Sequence, residues 1–154
     1  MERYRRQIKL RQIGEEGQQR LKKARVAVIG TGGLGSPVLT YLTAAGIGSI
    51  RLIDGDTVSV SNFNRQFLHT EQELGSKKVE SAAEALRKIN HETTLELRME
   101  WLTKENISSL LENVEIVVDC VDNLATRRIV NQYCVEYFFP HSTLFLTSNG
   151  TVHI

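Results

Sequence analysis

Arg25-Val-Ala-Val-Ile29-Gly30-Thr31-Gly32-Gly33-Leu34-Gly35-Ser36-Pro37 is the stretch on which the fold turns. An apolar run of strand length stops at Gly30, and three more glycines follow within five residues. Ser36 to Ala45 then has helical character, with Ser36 predicted as N-cap, Pro37 as the first helical residue and Gly46 as the stop. Strand, glycine turn and helix in this order form a loop that lets backbone approach an anion, with the helix N-terminus aimed at it. The next apolar stretch, Ser49 to Asp54, ends in a carboxylate at the distance where an acid meets ribose hydroxyls. Together these predict a bound nucleotide. The same pattern fits an NAD-dependent dehydrogenase, so the loop alone does not name the ligand.

Outward from this unit the chain alternates strand and helix. Glu15 to Lys23 is predicted as a polar helix, and Ser76 to Asn90 as an amphipathic one carrying Val79, Ala82, Ala83, Leu86 and Ile89 on one face. Leu95 to Met99 and Val114 to Asp119 are predicted strands, with a helix opening at Thr103 between them. A helix over Ala125 to Phe138 is stopped by Pro140, and strands follow at Leu144 to Leu146 and Thr151 to Ile154. The expected fold is α/β: a Rossmann-like, doubly wound, mostly parallel sheet that looks truncated at the C-terminus. The expected division is an N-terminal arm and helix over 1–24 and a nucleotide-binding domain over 25–154.

Bulk properties narrow the class. The 154 residues are 41% hydrophobic and 24% charged, enough for one core under a soluble surface. Lysine plus arginine (19) nearly balances aspartate plus glutamate (18), which argues against nucleic acid or an anionic membrane as partner. Val26 to Ile50 is uncharged and long enough to span a bilayer, but its six glycines and Pro37 argue against that. Cys120 and Cys134 form no CxxC pair, so no zinc site is expected, and a reducing cytoplasm is the simplest compartment.

The discriminating residues follow Asp54. Ser61-Asn62-Phe63-Asn64-Arg65-Gln66 is a polar loop where a dinucleotide fold usually enters its next helix. Lys77 and Lys78 then open a helix, where cations oppose the macrodipole and a phosphate would relieve the conflict. Asp119-Cys120-Val121-Asp122-Asn123 puts further carboxylates at the edge of the sheet. Bases with a nearby acid suit a triphosphate with Mg²⁺ better than a hydride acceptor.

Arg3-Tyr4-Arg5-Arg6-Gln7, GTGGLGSP, IDGDTV, SNFNRQFLHT, GSKKVES and DCVDN occur in the order typical of the E1-like superfamily, and the chain resembles its ThiF/MoeB/HesA branch. It resembles the tRNA threonylcarbamoyladenosine dehydratase branch less well. The resemblance implies ATP on Gly30, Gly32, Gly33 and Gly35, and ribose on Asp54. It implies Ser61, Asn62, Arg65, Gln66 and Lys78 around the triphosphate, with Asp122 at Mg²⁺ and Asn123 beside it. It implies a homodimer in which Arg6 reaches the partner's site. Arg65, Lys78, Asp122 and Arg6 would then serve adenylation of the C-terminal carboxylate of a ubiquitin-like sulfur-carrier protein.

Plainer readings accompany these. Asp119 is expected to cap a strand end and Asp56 to form a turn. Cys120, Cys134, Trp101 and Phe138-Phe139 are expected in packing, and His69, His91, His141 and His153 show no metal spacing. The arm from Arg3 to Arg11 is expected to lack the apolar content to join its own core. Relatives of the resembled family continue past the point matching Ile154. The chain is therefore expected to bind nucleotide but to adenylate a carrier poorly, and a non-catalytic nucleotide-binding or dimerisation module is the alternative.

Overall fold

The computed structural model describes residues 2–137, 139–143, 145–146 and 152–153. Arg5–Ile8 (α1) and Gly14–Lys23 (α2) precede the first strand, Arg25–Ile29 (β1). Gly35–Ala45 (α3) leads to Ser49–Ile53 (β2), and Lys78–Ile89 (α4) to Thr94–Arg98 (β3). Ile107–Leu110 (α5), Ile116–Asp119 (β4), Leu124–Glu136 (α6) and His141–Thr143 (β5) complete the main unit. A small antiparallel pair, Phe145–Leu146 (β6) with Val152–His153 (β7), follows.

The sheet runs β3-β2-β1-β4-β5, parallel at every pairing. Its order reverses at β1, which has β2 on one side and β4 on the other. Alternation along β1 divides the core. Val26 and Val28 face Leu39, Val79, Ala82 and Leu86 on the α3/α4 side. Ala27 and Ile29 face Leu110, Val114, Val130 and Cys134 on the α5/α6 side. Both faces are thus covered, as a parallel sheet requires. The Rossmann-like expectation holds.

Several boundaries differ from expectation for local reasons. The α3 helix starts at Gly35, with Leu34 as N-cap, so Ser36 is inside the helix and Pro37 is its third residue. The Ser36 amide already donates to the Gly32 carbonyl at 2.8 Å, which makes it a helical residue, not a cap. Gly46 ends the helix as expected, in the left-handed region at φ 85°.

The strand His141–Thr143 was not anticipated, because three polar residues carry no periodic signal; register with Val117, Val118 and Asp119 defines it. Phe138, Leu144, Thr151 and Ile154, the ends of the expected last elements, lie outside the described residues.

The arm also departs from expectation, since it docks on its own subunit. Tyr4 is 5% exposed, and its hydroxyl accepts from Asn90 Nδ2 at 2.9 Å. A Cβ on Gly46 would stand 2.6 Å from the Tyr4 ring, so this glycine makes room for it. Gln7 Nε2 donates to the Ala45 carbonyl at 2.9 Å. One aromatic ring in a glycine notch replaces the apolar stripe that the arm lacks.

Candidate functional site

The exits of β1, β2, β3 and β4 meet around a cavity of about 340 Å³ at the C-terminal edge of the sheet. Open parallel sheets bind ligands there, where strand order reverses. Two glycines are required by the approach of backbone. Gly30 sits at φ +94°, and a Cβ on it would lie 2.9 Å from the Cys120 carbonyl oxygen. A Cβ on Gly35 would lie 2.0 Å from the Gly30 carbonyl oxygen. Gly30, Gly32 and Gly33 border the cavity, whereas Gly35 closes the turn behind them.

Asp54 ties this loop to the β2 exit. Its Oδ2 accepts from both the amide and the hydroxyl of Thr31 at 2.9 Å each, and its Oδ1 accepts from the Asp56 amide at 2.9 Å. His69 holds the same loop from behind, with Nε2 3.1 Å from the Thr31 carbonyl and Nδ1 2.8 Å from Ser81 Oγ.

Arg65 lines the cavity with its stem along Gly33, and its Nη1 donates to the Ser61 carbonyl at 2.9 Å and Asn64 Oδ1 at 3.0 Å. Gln66 is 5% exposed, borders the cavity beside Gly32, and its Oε1 has no partner among the described residues. An unpaired buried acceptor in a cavity wall marks a place for a hydrogen-bond donor of a ligand or for water.

Lys78 is the first residue of α4 and its Nζ lies 2.6 Å from Asp56 Oδ2. Asp56 is therefore more than a turn former. Burial pushes its carboxyl up, but hydrogen bonds from Lys78 and the Thr57 amide, with the charges of both lysines, hold it below the ordinary range. Lys77 Nζ donates to the Gly55 carbonyl at 3.1 Å. The conflict between these lysines and the α4 dipole is thus partly answered inside the chain.

Asp122 and Asn123 border the opposite wall, where Asn123 Oδ1 accepts from the Thr126 amide at 2.8 Å and caps α6. Asp119 is fully buried, and its Oδ1 accepts from the Val121 amide at 3.0 Å.

Other expected residues lie off the cavity lining. Ser61 Oγ is 3.0 Å from Ser59 Oγ on the exposed side of a 3-10 turn over Val60–Asn62. Asn62 spends its carbonyl oxygen on the Ser59 amide at 3.0 Å and supports the loop from inside. Arg6 is exposed on α1 and does not border the cavity.

Burial pushes the Cys120 thiol up to about 12, with the Asp119 charge adding to it, which makes it a poor nucleophile although it touches the cavity. Glu100, Trp101 and Leu102, just beyond β3, form a wall that the sequence reading assigned to packing or left aside.

A metal would find limited protein ligation: the described residues contain no group of three or more His, Cys, Asp or Glu side chains placed to hold one. Asp122, which borders the cavity and whose side chain has no hydrogen bond given among the described residues, could serve the mode in which Mg²⁺ takes one carboxylate and completes its shell with phosphates and water. Among the described residues no helix is long and apolar enough to cross a membrane.

Comparison with known proteins agrees with this geometry. The chain is 48% identical over 133 residues to adenylyltransferase and sulfurtransferase MOCS3 of Anopheles gambiae, covering 86% of this chain and 30% of that relative. It is 44% identical over 135 residues to the sulfur carrier protein adenylyltransferase of Thermus thermophilus, covering 88% of this chain and 50% of the relative. The chain thus spans 30% to 50% of the length of these relatives. Among solved structures, the ATP complex of E. coli tRNA N6-threonylcarbamoyladenosine dehydratase, TcdA, superposes with a TM-score of 0.82 at 33% identity, over 86% of this chain and 55% of that one. E. coli MccB with AMPCPP and MccA superposes with a TM-score of 0.80 at 29% identity, over 89% and 42%. The ThiF family profile matches residues 4–151, and the chain belongs to the ThiF family.

Proposed function

We propose that this chain is the nucleotide-holding part of an adenylyltransferase that activates the C-terminal carboxylate of a ubiquitin-like sulfur-carrier protein with ATP. The observation that carries the proposal is the cavity whose lining brings together the glycine loop, Asp54, Arg65, Gln66 and Lys78. The names of the Anopheles and Thermus relatives and the ATP bound to TcdA support ATP over a dinucleotide.

In this reading the phosphates lie on Gly32 and Gly33, at the N-terminus of α3, and the ribose on the side of Asp54. Gln66 Oε1, an acceptor with no partner among the described residues, would take a hydrogen bond from a donor of the ligand or from water. Arg65 and Lys78 supply positive charge that strengthens as the pyrophosphate leaves. The carrier carboxylate attacks the α-phosphorus; an O–P bond forms and the bond to the pyrophosphate oxygen breaks. No general base is required, because a terminal carboxylate is already ionised near neutral pH. Asp122 would hold Mg²⁺, which when bound neutralises phosphate charge.

A homodimer belongs to the same reading, with the exposed Arg6 reaching a partner's cavity. So does a reducing cytoplasmic setting, in keeping with the two unpaired cysteines. Pyrophosphate exchange into ATP, measured with and without a candidate carrier, is the test. Binding of Mg·ATP is expected, with carrier-dependent exchange weak in a chain that spans only part of its relatives' length. Binding of NADH without binding of Mg·ATP would overturn the reading.

A further inference from the structure

Two loops meet at the cavity, and one imidazole behind them ties one to the other. The glycine loop contributes Gly30, Gly32 and Gly33 to the lining, and the loop after β2 contributes Arg65 and Gln66. At the front the loops only abut. A Cβ on Gly32 would stand 3.3 Å from Gln66 Nε2, and one on Gly33 would stand 3.5 Å from Arg65 Cγ. Behind them His69 Nε2 lies 3.1 Å from the Thr31 carbonyl oxygen, the one hydrogen bond given between the two loops among the described residues. His69 is 4% exposed and does not border the cavity.

Both ends of this contact are anchored. Thr31 is fully buried, and its amide and hydroxyl are committed to Asp54 Oδ2, so its carbonyl is the polar group left to hold. The Ser36 hydroxyl reaches the same oxygen only at 3.5 Å. On the other side the His69 amide donates to the Gln66 carbonyl at 3.0 Å. The Gln66 and Arg65 amides donate in turn to the Asn62 carbonyl at 2.9 and 3.1 Å. The imidazole therefore closes the turn that carries Arg65 and Gln66.

Counting hydrogens fixes the tautomer. A carbonyl oxygen only accepts, so Nε2 carries the hydrogen that points at Thr31. Nδ1 lies 2.8 Å from Ser81 Oγ, which also lies 3.0 Å from Glu73 Oε2. The serine has one hydrogen for two acceptors. Glu73 Oε2 already accepts from the Thr70 amide at 2.7 Å and the Thr70 hydroxyl at 3.0 Å. Burial favours the uncharged ring, so Nδ1 is bare and takes the serine hydrogen. Ser81, on α4, thus selects the tautomer that grips the glycine loop.

We propose that His69, held by Ser81 as its Nε2–H tautomer, is a positioning residue for the nucleotide phosphates. It acts through the Thr31 carbonyl, setting the glycine loop against Arg65 and Gln66 without touching the nucleotide. This rests on the nucleotide reading above and adds the residue that joins the two loops.

Calorimetry measures the binding of Mg·ATP and of inorganic tripolyphosphate to wild type, His69→Gln, His69→Asn and His69→Leu. The temperature is one at which circular dichroism shows each protein folded. A glutamine amide reaches the place of Nε2 and can donate to Thr31, an asparagine amide reaches only that of Nδ1, and leucine donates nothing. His69→Leu and His69→Asn are expected to lose on the order of tenfold in affinity for both ligands, about the worth of one hydrogen bond to a buried carbonyl. His69→Gln should regain most of that loss. A histidine that only fills space would not separate glutamine from asparagine. Equal affinities in the three variants, whether at the wild-type level or equally reduced, would overturn the positioning role and leave the nucleotide site standing. Wild type that binds neither ligand sinks the nucleotide reading and the positioning role with it. If the variants do not fold, nitrogen-15 NMR of the wild-type histidine rings decides. A hydrogen on Nε2 and a bare Nδ1 are expected for His69 at neutral pH, and the opposite tautomer would refute the proposal.

Discussion

Lys78 Nζ stands 2.6 Å from Asp56 Oδ2, and the lysine side chain is 7% exposed while the aspartate is 46% exposed. The buried cation thus borrows its counterion from the rim of the cavity. Asp56→Asn strands the lysine charge, at a cost of about 1–2 kcal/mol; a fully buried pair would lose more, but Asp56 is half in water. A nucleotide then becomes the alternative counterion. The expected outcome is a lower melting temperature without ligand and a larger stabilisation by Mg·ATP than in wild type. Equal ligand-induced shifts in the two proteins, by differential scanning fluorimetry, would place Lys78 away from the phosphates.

Acid should weaken the fold through His69 before it reaches the carboxylates. Burial lowers the His69 pKa below 6.5, Lys78 adds to this, and the hydrogen bond to the Thr31 carbonyl with the charges of Asp54 and Glu73 opposes it. The folded state therefore binds fewer protons than the unfolded chain. Stability from this group is full above about pH 6.5 and is lost as pH falls through the folded value. Asp56, Glu73 and Glu96 are also lowered and act with the same sign in a more acidic window, below about pH 4.5. Urea denaturation from pH 7 to pH 5 should show a falling stability in wild type and a flatter profile in His69→Gln. An identical slope in both would assign the dependence elsewhere.

Much of this was legible in the sequence where the signal is local. The β1 run, the glycine turn, Gly46 and the apolar face of α4 announce themselves within one element. What escaped depends on contacts between distant elements. Asp56 and Lys78 are 22 residues apart, and neither carries a mark of the other. Trp101 reads as core until Gly55 is seen beneath its ring. Tyr4 looks like part of a polar arm until the notch at Gly46 receives it. Asn62 is implied as a ligand by the family resemblance, while its side-chain oxygen accepts from the Ser59 amide.

The thiols should be silent in the folded protein. Burial raises Cys120 to about 12 and Cys134 to about 11. Little thiolate exists at pH 8, and both side chains are enclosed. Iodoacetamide at pH 8 is expected to leave the native protein unmodified over a time that alkylates both residues in urea. Rapid native labelling of Cys120, read by mass spectrometry, would show an open cavity floor and a thiol available for chemistry.

Two glycines of the same loop should separate binding from folding. At Gly35 a Cβ would stand 2.0 Å from the Gly30 carbonyl oxygen, a backbone atom that cannot yield without unmaking the turn. At Gly33 the nearest atoms would be Arg65 Cγ at 3.5 Å and Cδ at 3.6 Å, an ordinary contact with a flexible side chain. Gly35→Ala is therefore expected to cost more than about 3 kcal/mol, through overpacking against rigid backbone. Gly33→Ala should change stability by less than about 1 kcal/mol, because its φ lies outside the left-handed region and a Cβ there would make only ordinary contacts. Yet in the proposed reading the new methyl would stand where the phosphate must meet the amides. Mg·ATP should lose at least tenfold in affinity for Gly33→Ala while the unliganded melting temperature stays near that of wild type. Calorimetry and a melting curve on the two variants decide the matter: full ATP affinity in a well-folded Gly33→Ala protein would remove the phosphates from this loop.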